Sequence, residues 1–282
     1  DRRLLQRAII EAGVSARASG RTSVLTEDVA RALRSLDELA GMRWERALDM
    51  ADCLELYTEG FTGQVFNRPG EHWPEADVTI LNLGLFANEG FEDKLALSVI
   101  GLVNHVNSLA ERTRYQDRQI ILCFDEAHIV TTHPLLAPYL TKASKVWGRR
   151  YAVWLWLATQ NMDDFPASAR RMLTTLEWWI ALYMPPEEIE QLARFRELSA
   201  EQKALLQAVR KEPGHYTEGV LLHDDRVALF RNVPPPLILA LAQTEQHERA
   251  ERARIMRQQH CSELEAAYVI ARRIEAERGG AC

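Results

Sequence analysis

The chain has few cysteines, and none of them lies in a spacing that would bind zinc. Cys53, Cys123, Cys261 and Cys282 are widely separated, with no C-x-x-C pair and no Cys/His set. Reduced thiols in a cytosolic protein are the simplest interpretation of such scattered cysteines. The sequence therefore favours neither a zinc module nor a disulfide scaffold.

Long hydrophobic runs are also missing. The most apolar helix candidate, residues 95–110, is interrupted by Asn104, His105 and Asn107 and is short for a membrane span. The first residues do not have the pattern of a signal peptide. We therefore predict a cytoplasmic chain without a transmembrane segment.

Positive charge is less abundant than negative charge. The chain has 34 Lys and Arg against 40 Asp and Glu, which gives a formal net charge of −6. No global basic field attracts it to nucleic acid or anionic lipid, so any contact with DNA must be local. Hydrophobic residues make up 47% and charged residues 26% of the chain, as in folded globular domains.

Hydrophobic periodicity divides the chain into three predicted regions. Residues 1–58 show helical stripes and are predicted to form an all-α subdomain. Residues 59–236 alternate between strand and helix and end in a predicted β-hairpin, which indicates an α/β core. Residues 237–282 are charge-rich and predict C-terminal helices.

Four short apolar runs predict the strands of a parallel sheet. Each run is continuous instead of alternating, as in strands that helices cover on both faces. Residues 92–112 and 136–147 have the helical pattern expected between such strands, and the tryptophans in the runs are predicted to pack in the core. The runs are 78–83, 119–124, 152–158 and 178–183, and their tryptophans are Trp154, Trp156, Trp178 and Trp179.

Two adjacent carboxylates, Asp125 and Glu126, follow the second of these runs. In a Walker B element the first acid helps to hold a nucleotide-bound magnesium ion, and the second is the base that orients the attacking water. Turns at strand ends are often rich in acids, so solvated side chains are the alternative interpretation. The residues that end the next strand help to decide between a Walker B element and solvated acids.

A polar pair, Thr159 and Gln160, ends that next strand. An amide at the tip of a strand beside the acidic strand can sense a γ-phosphate or position water. The carboxyl ends of parallel strands meet at one edge of the sheet, where α/β proteins bind ligands. We therefore predict that Gln160 shares a site with Asp125 and Glu126.

Two arginines, Arg149 and Arg150, end the predicted helix before that strand. In ring-shaped motors an arginine at a subunit edge stabilises transition-state charge in the neighbouring subunit. Basic residues at a helix C-terminus can instead simply interact with the helix dipole. We predict that Arg149 is the arginine finger and that Arg150 is the second candidate.

The phosphate loop that should accompany these features is missing. No G-x-x-x-x-G-K-[ST] motif occurs in the sequence. Residues 125–128, Asp-Glu-Ala-His, also match the box of a large helicase superfamily. The roughly 120 residues after Gln160 leave no room for the second RecA-like lobe of such helicases. We assign no role to His128.

The order of these motifs resembles that of hexameric RecA-like motors, the P-loop NTPases that include DNA translocases and type IV secretion ATPases. Within this group the chain is similar to the conjugative-transfer ATPases of integrative conjugative elements and plasmids. The likeness covers most of the chain. It lies in Phe-Asp-Glu-Ala-His, Gly-Arg-Arg and Leu-Ala-Thr-Gln and in segments 66–70, 77–84, 216–220 and 230–236.

The resemblance implies a homo-hexameric ATPase. Its fold would be a RecA-like P-loop NTPase-type parallel sheet flanked by helices, with an N-terminal all-α subdomain and a C-terminal helical extension. The cofactors would be ATP and Mg²⁺, and the phosphate loop would lie upstream of Asp1. The residue roles it implies are Asp125 on magnesium through water, Thr159 at the nucleotide, Glu126 as base, Gln160 as sensor and Arg149 or Arg150 as finger.

We therefore expect the C-terminal portion of an ATPase that energises conjugative DNA transfer or type IV secretion, with other subunits of the apparatus at the bacterial inner membrane. Without a phosphate loop, the 282 residues alone are expected neither to bind ATP tightly nor to hydrolyse it. Two alternatives stay open. One is a DNA-pumping coupling or segregation translocase of the same superfamily, and the other is a non-catalytic assembly module of the secretion apparatus.

Overall fold

The fold is mixed α/β and divides into two compact units. A computed structural model describes residues 1–36, 41–70, 76–166, 169–224 and 226–279. The first unit is Asp1–Leu81 and the second is Asn82–Cys282. Each unit has its own cluster of buried apolar side chains.

All the regular secondary structure of the first unit is helical among the residues that the structure describes. Small side chains occupy the helix faces that meet, and Ala8, Ala12, Ala47 and Ala51 are buried around Leu33. Because these side chains are short, the helix axes can approach closely. The helices are α1 (Arg2–Ala18), α2 (Thr26–Arg34), α3 (Met42–Glu55) and α4 (Gly60–Phe66).

A buried carboxylate, Asp28, stabilises the start of α2. Its two oxygens accept hydrogen bonds from the Arg21 guanidinium at 2.7 and 2.8 Å. Oδ2 also accepts from the backbone N–H of Leu25 at 2.9 Å. The Arg21 hydrogen bond lowers the pKa of Asp28 to about 2, although burial of the carboxylate acts in the opposite direction.

Replacing Asp28 by asparagine is expected to destabilise the first unit by about 2 kcal/mol at neutral pH, to be measured by urea unfolding followed by circular dichroism. The folded pKa of about 2 lies below the ordinary value of 3.8. The stabilisation is therefore complete above about pH 4 and is lost as the pH falls towards 2. Asp49→Asn is the control, because its carboxylate lies 3.8 Å from Arg46 in an exposed pair. Equal losses in both variants would contradict the prediction.

A parallel pair of strands forms one sheet of the second unit. β1 (Ile120–Phe124) and β2 (Val153–Leu157) align with Ile120 opposite Val153. A crossover is needed between parallel strands, and α7 provides it here. The helices around the pair are α5 (Glu92–Arg112), α6 (His128–Thr131) and α7 (Leu136–Arg150).

An antiparallel sheet is the other sheet of this unit, and its central strand β5 pairs with three strands. The β-hairpin that the sequence predicts is confirmed, because β5 and β6 are antiparallel neighbours. Gly219 in β5 leaves room for a neighbouring ring, since a Cβ there would lie 2.6 Å from Phe230. The strands are β3 (Trp178–Leu182), β4 (Lys211–Glu212), β5 (Tyr216–His223) and β6 (Arg226–Asn232).

The prediction of one parallel sheet with four strands is wrong for two of its members. Residues 78–83, which the structure describes, form no strand, and Val78 and Ile80 are 78% and 88% exposed. β3 forms a strand but pairs antiparallel with β5. A short apolar run indicates strand propensity without identifying the partner strand, which explains both errors. A larger RecA-like sheet stays a prediction.

The prediction that the strand tryptophans pack in the core is wrong for three of the four. Trp154, Trp156 and Trp178 are 45%, 55% and 53% exposed, whereas Trp179 is half-buried. Burial alternates along these strands, so each sheet has one covered face and one open face. Continuous apolar sequence had predicted two covered faces.

The C-terminal helices pack around a buried arginine, Arg252. Its guanidinium donates to the carbonyl oxygens of Ala240 at 2.6 Å and Gln243 at 3.0 Å and pairs with Glu263. None of the helices among the described residues has the length and apolar character needed to cross a bilayer. The remaining helices are α8 (Arg170–Leu173), α9 (Pro186–Ala193), α10 (Ala200–Ala208), α11 (Pro236–Ala242), α12 (Gln246–Gln259) and α13 (Glu263–Gly279).

Candidate functional site

The acidic pair lies in the turn directly after β1. Asp125 is exposed and Glu126 is half-buried. Glu126 has a backbone φ of 52°, in the left-handed region that costs a non-glycine residue about 1 kcal/mol. The next residue, Ala127, is fully buried and donates its N–H to Ala158 at 2.8 Å. The turn after β1 is therefore attached to the end of β2.

Gln160 contacts Glu126 from the end of β2. The distance from Gln160 Nε2 to Glu126 Oε1 is 2.5 Å, a short hydrogen bond. Thr159, beside it, donates its hydroxyl to the carbonyl oxygen of Asn161 at 3.1 Å. The structure thus brings two of the predicted site residues together across the parallel pair, and their chemical roles stay predictions.

Asp125 presents a carboxylate that fits a water-mediated magnesium contact. Its Oδ1 accepts a hydrogen bond from the N–H of Glu126 at 3.1 Å. Magnesium in nucleotide sites takes one or two carboxylates and fills its other positions with water and phosphate oxygens. No group of three or more His, Cys, Asp or Glu among the described residues could hold a metal ion. The contact of Asp125 with a nucleotide-bound magnesium ion stays a prediction.

The two arginine-finger candidates lie at the end of α7. The Arg150 side chain is exposed and lies 5.5 Å from the ring centroid of Tyr151. Arg149 belongs to the same helix, but its side chain lies outside the described part of the structure. A finger acts on the site of a neighbouring subunit, so contacts within one chain do not decide between the two.

His128 faces the acidic pair although we assigned it no role from the sequence. Its Nδ1 lies 3.5 Å from Glu126 Oε2 and 3.9 Å from Asp164 Oδ2. This nitrogen is shielded from solvent and has no hydrogen-bond partner. The short sequence separation between His128 and Glu126 could have predicted that the two side chains lie close together. No sequence feature could have predicted the position of Asp164, because the loop after β2 brings it near only in the folded chain.

The loop that carries Asp164 is attached to α9. The backbone N–H of Met162 donates to Glu188 Oε2 at 2.9 Å. Met162 and Phe165 are buried on either side of Asp163 and Asp164. Buried apolar residues and a hydrogen bond to an adjacent helix therefore fix the backbone that carries Asp164.

The assembled groups suit proton transfer from a water molecule. Glu126 can accept a proton, and the Gln160 amide can orient a water molecule beside it. Asp125 adds negative charge on the solvent side, where a divalent cation would be attracted.

Compared with known proteins, the chain matches no protein-family model and no curated protein. The indications of its function are therefore this geometry and the sequence motifs.

Proposed function

We propose that the chain carries the hydrolytic part of the site in an ATPase that energises conjugative DNA transfer or type IV secretion. The observation that carries the proposal is the 2.5 Å contact between Gln160 and Glu126, with Asp125 beside them. A carboxylate base with an amide at the tips of neighbouring parallel strands is suited to water attack on a γ-phosphate. The link to conjugative transfer comes from the resemblance of the sequence segments.

In the proposed reaction, Glu126 accepts a proton from the water that attacks the γ-phosphorus, the bond from that phosphorus to the β–γ bridging oxygen breaks, and ADP and inorganic phosphate leave. Gln160 donates a hydrogen bond that orients the base and, once nucleotide is bound, the water or the phosphate. Asp125 would hold the magnesium ion through water, and Thr159 would contact the nucleotide. Magnesium, when bound with ATP, would offset the negative charge of the phosphate oxygens.

The remaining parts of the site are proposed to come from a phosphate loop outside these 282 residues and from a neighbouring subunit. A phosphate loop would supply backbone amides and a lysine to the phosphates. Arg149 or Arg150 would reach the site of a neighbouring subunit in a homo-hexamer with RecA-like sheets. The ring would work with other subunits of the secretion apparatus at the cytoplasmic face of the inner membrane.

Replacing Gln160 by alanine is expected to lower kcat by about 10- to 100-fold and to change KM by less than about threefold. The alanine removes the hydrogen bond to Glu126 but leaves the contacts of the phosphate loop with the nucleotide intact. The measurement is phosphate release by a longer polypeptide with a phosphate loop ahead of Asp1. The 282 residues alone, expected to show no turnover, provide the background.

The control for this variant is Asn161→Ala. Asn161 is exposed and adjoins Gln160, and its backbone carbonyl, which the substitution retains, is the group that accepts from Thr159. Its turnover should equal that of the parent. An unchanged kcat in the Gln160 variant would argue against the proposed function.

A further inference from the structure

The contacts of His128 give it a place in the proposed site. We propose that His128 is a positioning residue, which donates its Nδ1–H towards Glu126 and Asp164 and thereby keeps the Glu126 carboxylate oriented towards Gln160. The inference rests on the proposed function for its catalytic consequence. The orientation itself is a property of the chain that can be tested without nucleotide.

The surroundings of Nδ1 require it to be a donor. The nitrogen lies 3.5 Å from Glu126 Oε2 and 3.9 Å from Asp164 Oδ2, and water does not reach it. Ionised carboxylates only accept hydrogen bonds, so a bare Nδ1 lone pair would face two negative groups. Placing the proton on Nδ1 converts this repulsion into attraction to both carboxylates.

Glu126 needs such a partner because of how its backbone is held. Its φ of 52° is a backbone conformation that glutamate rarely adopts, and its neighbour Ala127 is buried. Gln160 engages only Oε1 of the carboxylate. One contact permits rotation about the terminal torsion, which is broad for glutamate, whereas a second contact at Oε2 restricts it.

Asp164 explains why His128 stays beside Glu126 instead of turning to solvent. The second carboxylate attracts the same N–H, and its loop is fixed through Met162 and Glu188. The neighbouring Asp163 is paired with Arg194 at 3.3 Å. Among the described residues, the carboxylates within 4 Å of the ring nitrogen are those of Glu126 and Asp164.

The first arm of the test uses NMR of the 282-residue chain itself. Ring ¹⁵N shifts should show His128 with a protonated Nδ1, and the Gln160 side-chain amide should exchange slowly with water. His128→Ala should abolish that protection, and His128→Asn should keep it because its amide can donate from a similar position. Asp164→Asn should weaken the protection, whereas Asp163→Asn should leave it unchanged. A bare Nδ1, or equal protection in the alanine variant, would overturn the proposal.

The second arm measures turnover in the longer polypeptide that carries a phosphate loop. His128→Ala should lower kcat by about tenfold or more with KM within about threefold, and His128→Asn should recover most of the loss. Normal kcat in the alanine variant would overturn the catalytic consequence. Absence of turnover in the parent itself would count against the proposed function alone, and the NMR arm would then decide the role of His128.

Discussion

Replacing Glu126 by glutamine in the longer polypeptide that carries a phosphate loop is expected to lower ATP turnover by about 100-fold or more. ATP binding should change by less than about threefold. Glutamine has nearly the same size as glutamate and can still hydrogen-bond to Gln160, which now contacts Glu126 at 2.5 Å. It cannot accept the proton of the attacking water at neutral pH. The loss should therefore appear in kcat, measured by phosphate release, and not in nucleotide affinity, measured by titration with a fluorescent ATP analogue.

Glu187→Gln is the matched control for this variant. Glu187 is an exposed acid in the first turn of α9, and removing its charge should leave turnover unchanged. Equal turnover in the parent and the Glu126 variant would mean either that the base lies elsewhere or that the chain is a non-catalytic assembly module in which the acidic pair is vestigial. Stimulation of parental turnover by DNA would favour the translocase alternative.

Replacing Trp147 by alanine is expected to destabilise the second unit by about 3 to 5 kcal/mol. The Trp147 side chain on α7 is 1% exposed, and its Nε1 donates to Asn107 Oδ1 at 2.6 Å. The substitution leaves a large cavity and removes the hydrogen-bond partner of an amide on α5. The free energy of unfolding in guanidinium chloride, followed by circular dichroism, measures the effect.

Trp154→Ala provides the comparison, because this tryptophan on β2 is 45% exposed. Its loss removes less buried surface, so we expect a change below about 1.5 kcal/mol. The two variants delete the same side chain from neighbouring elements of one unit. Similar losses of stability would mean that the burial difference between the two tryptophans is not what determines their contribution.

The helices and strands that the sequence predicted correctly are those whose pattern is carried by neighbouring residues. The helix predicted over residues 92–112 agrees with α5, and the runs containing β1 and β2 agree with the strands. In each case the signal is a periodicity carried by neighbouring residues. The approach of Gln160 to Glu126 also followed, because the ends of adjacent parallel strands share one sheet edge.

The sequence did not show which segments contact one another in the folded chain. β3 and the 78–83 segment are both short, largely apolar runs, yet β3 pairs with β5 and the segment pairs with no strand in the described chain. The approach of His128 to Asp164, at 3.9 Å, also joins the start of α6 to the segment after β2. Such contacts depend on tertiary packing, which overrides local strand propensity.

At position 126 the backbone conformation and the proposed activity favour different residues. A φ of 52° is one that glycine adopts without penalty, so glycine would relieve about 1 kcal/mol of strain and leave the fold more stable. It would also remove the carboxylate that faces Gln160 and His128. If Glu126 is the base that we propose, the residue that best suits the backbone of this turn differs from the one that the chemistry needs.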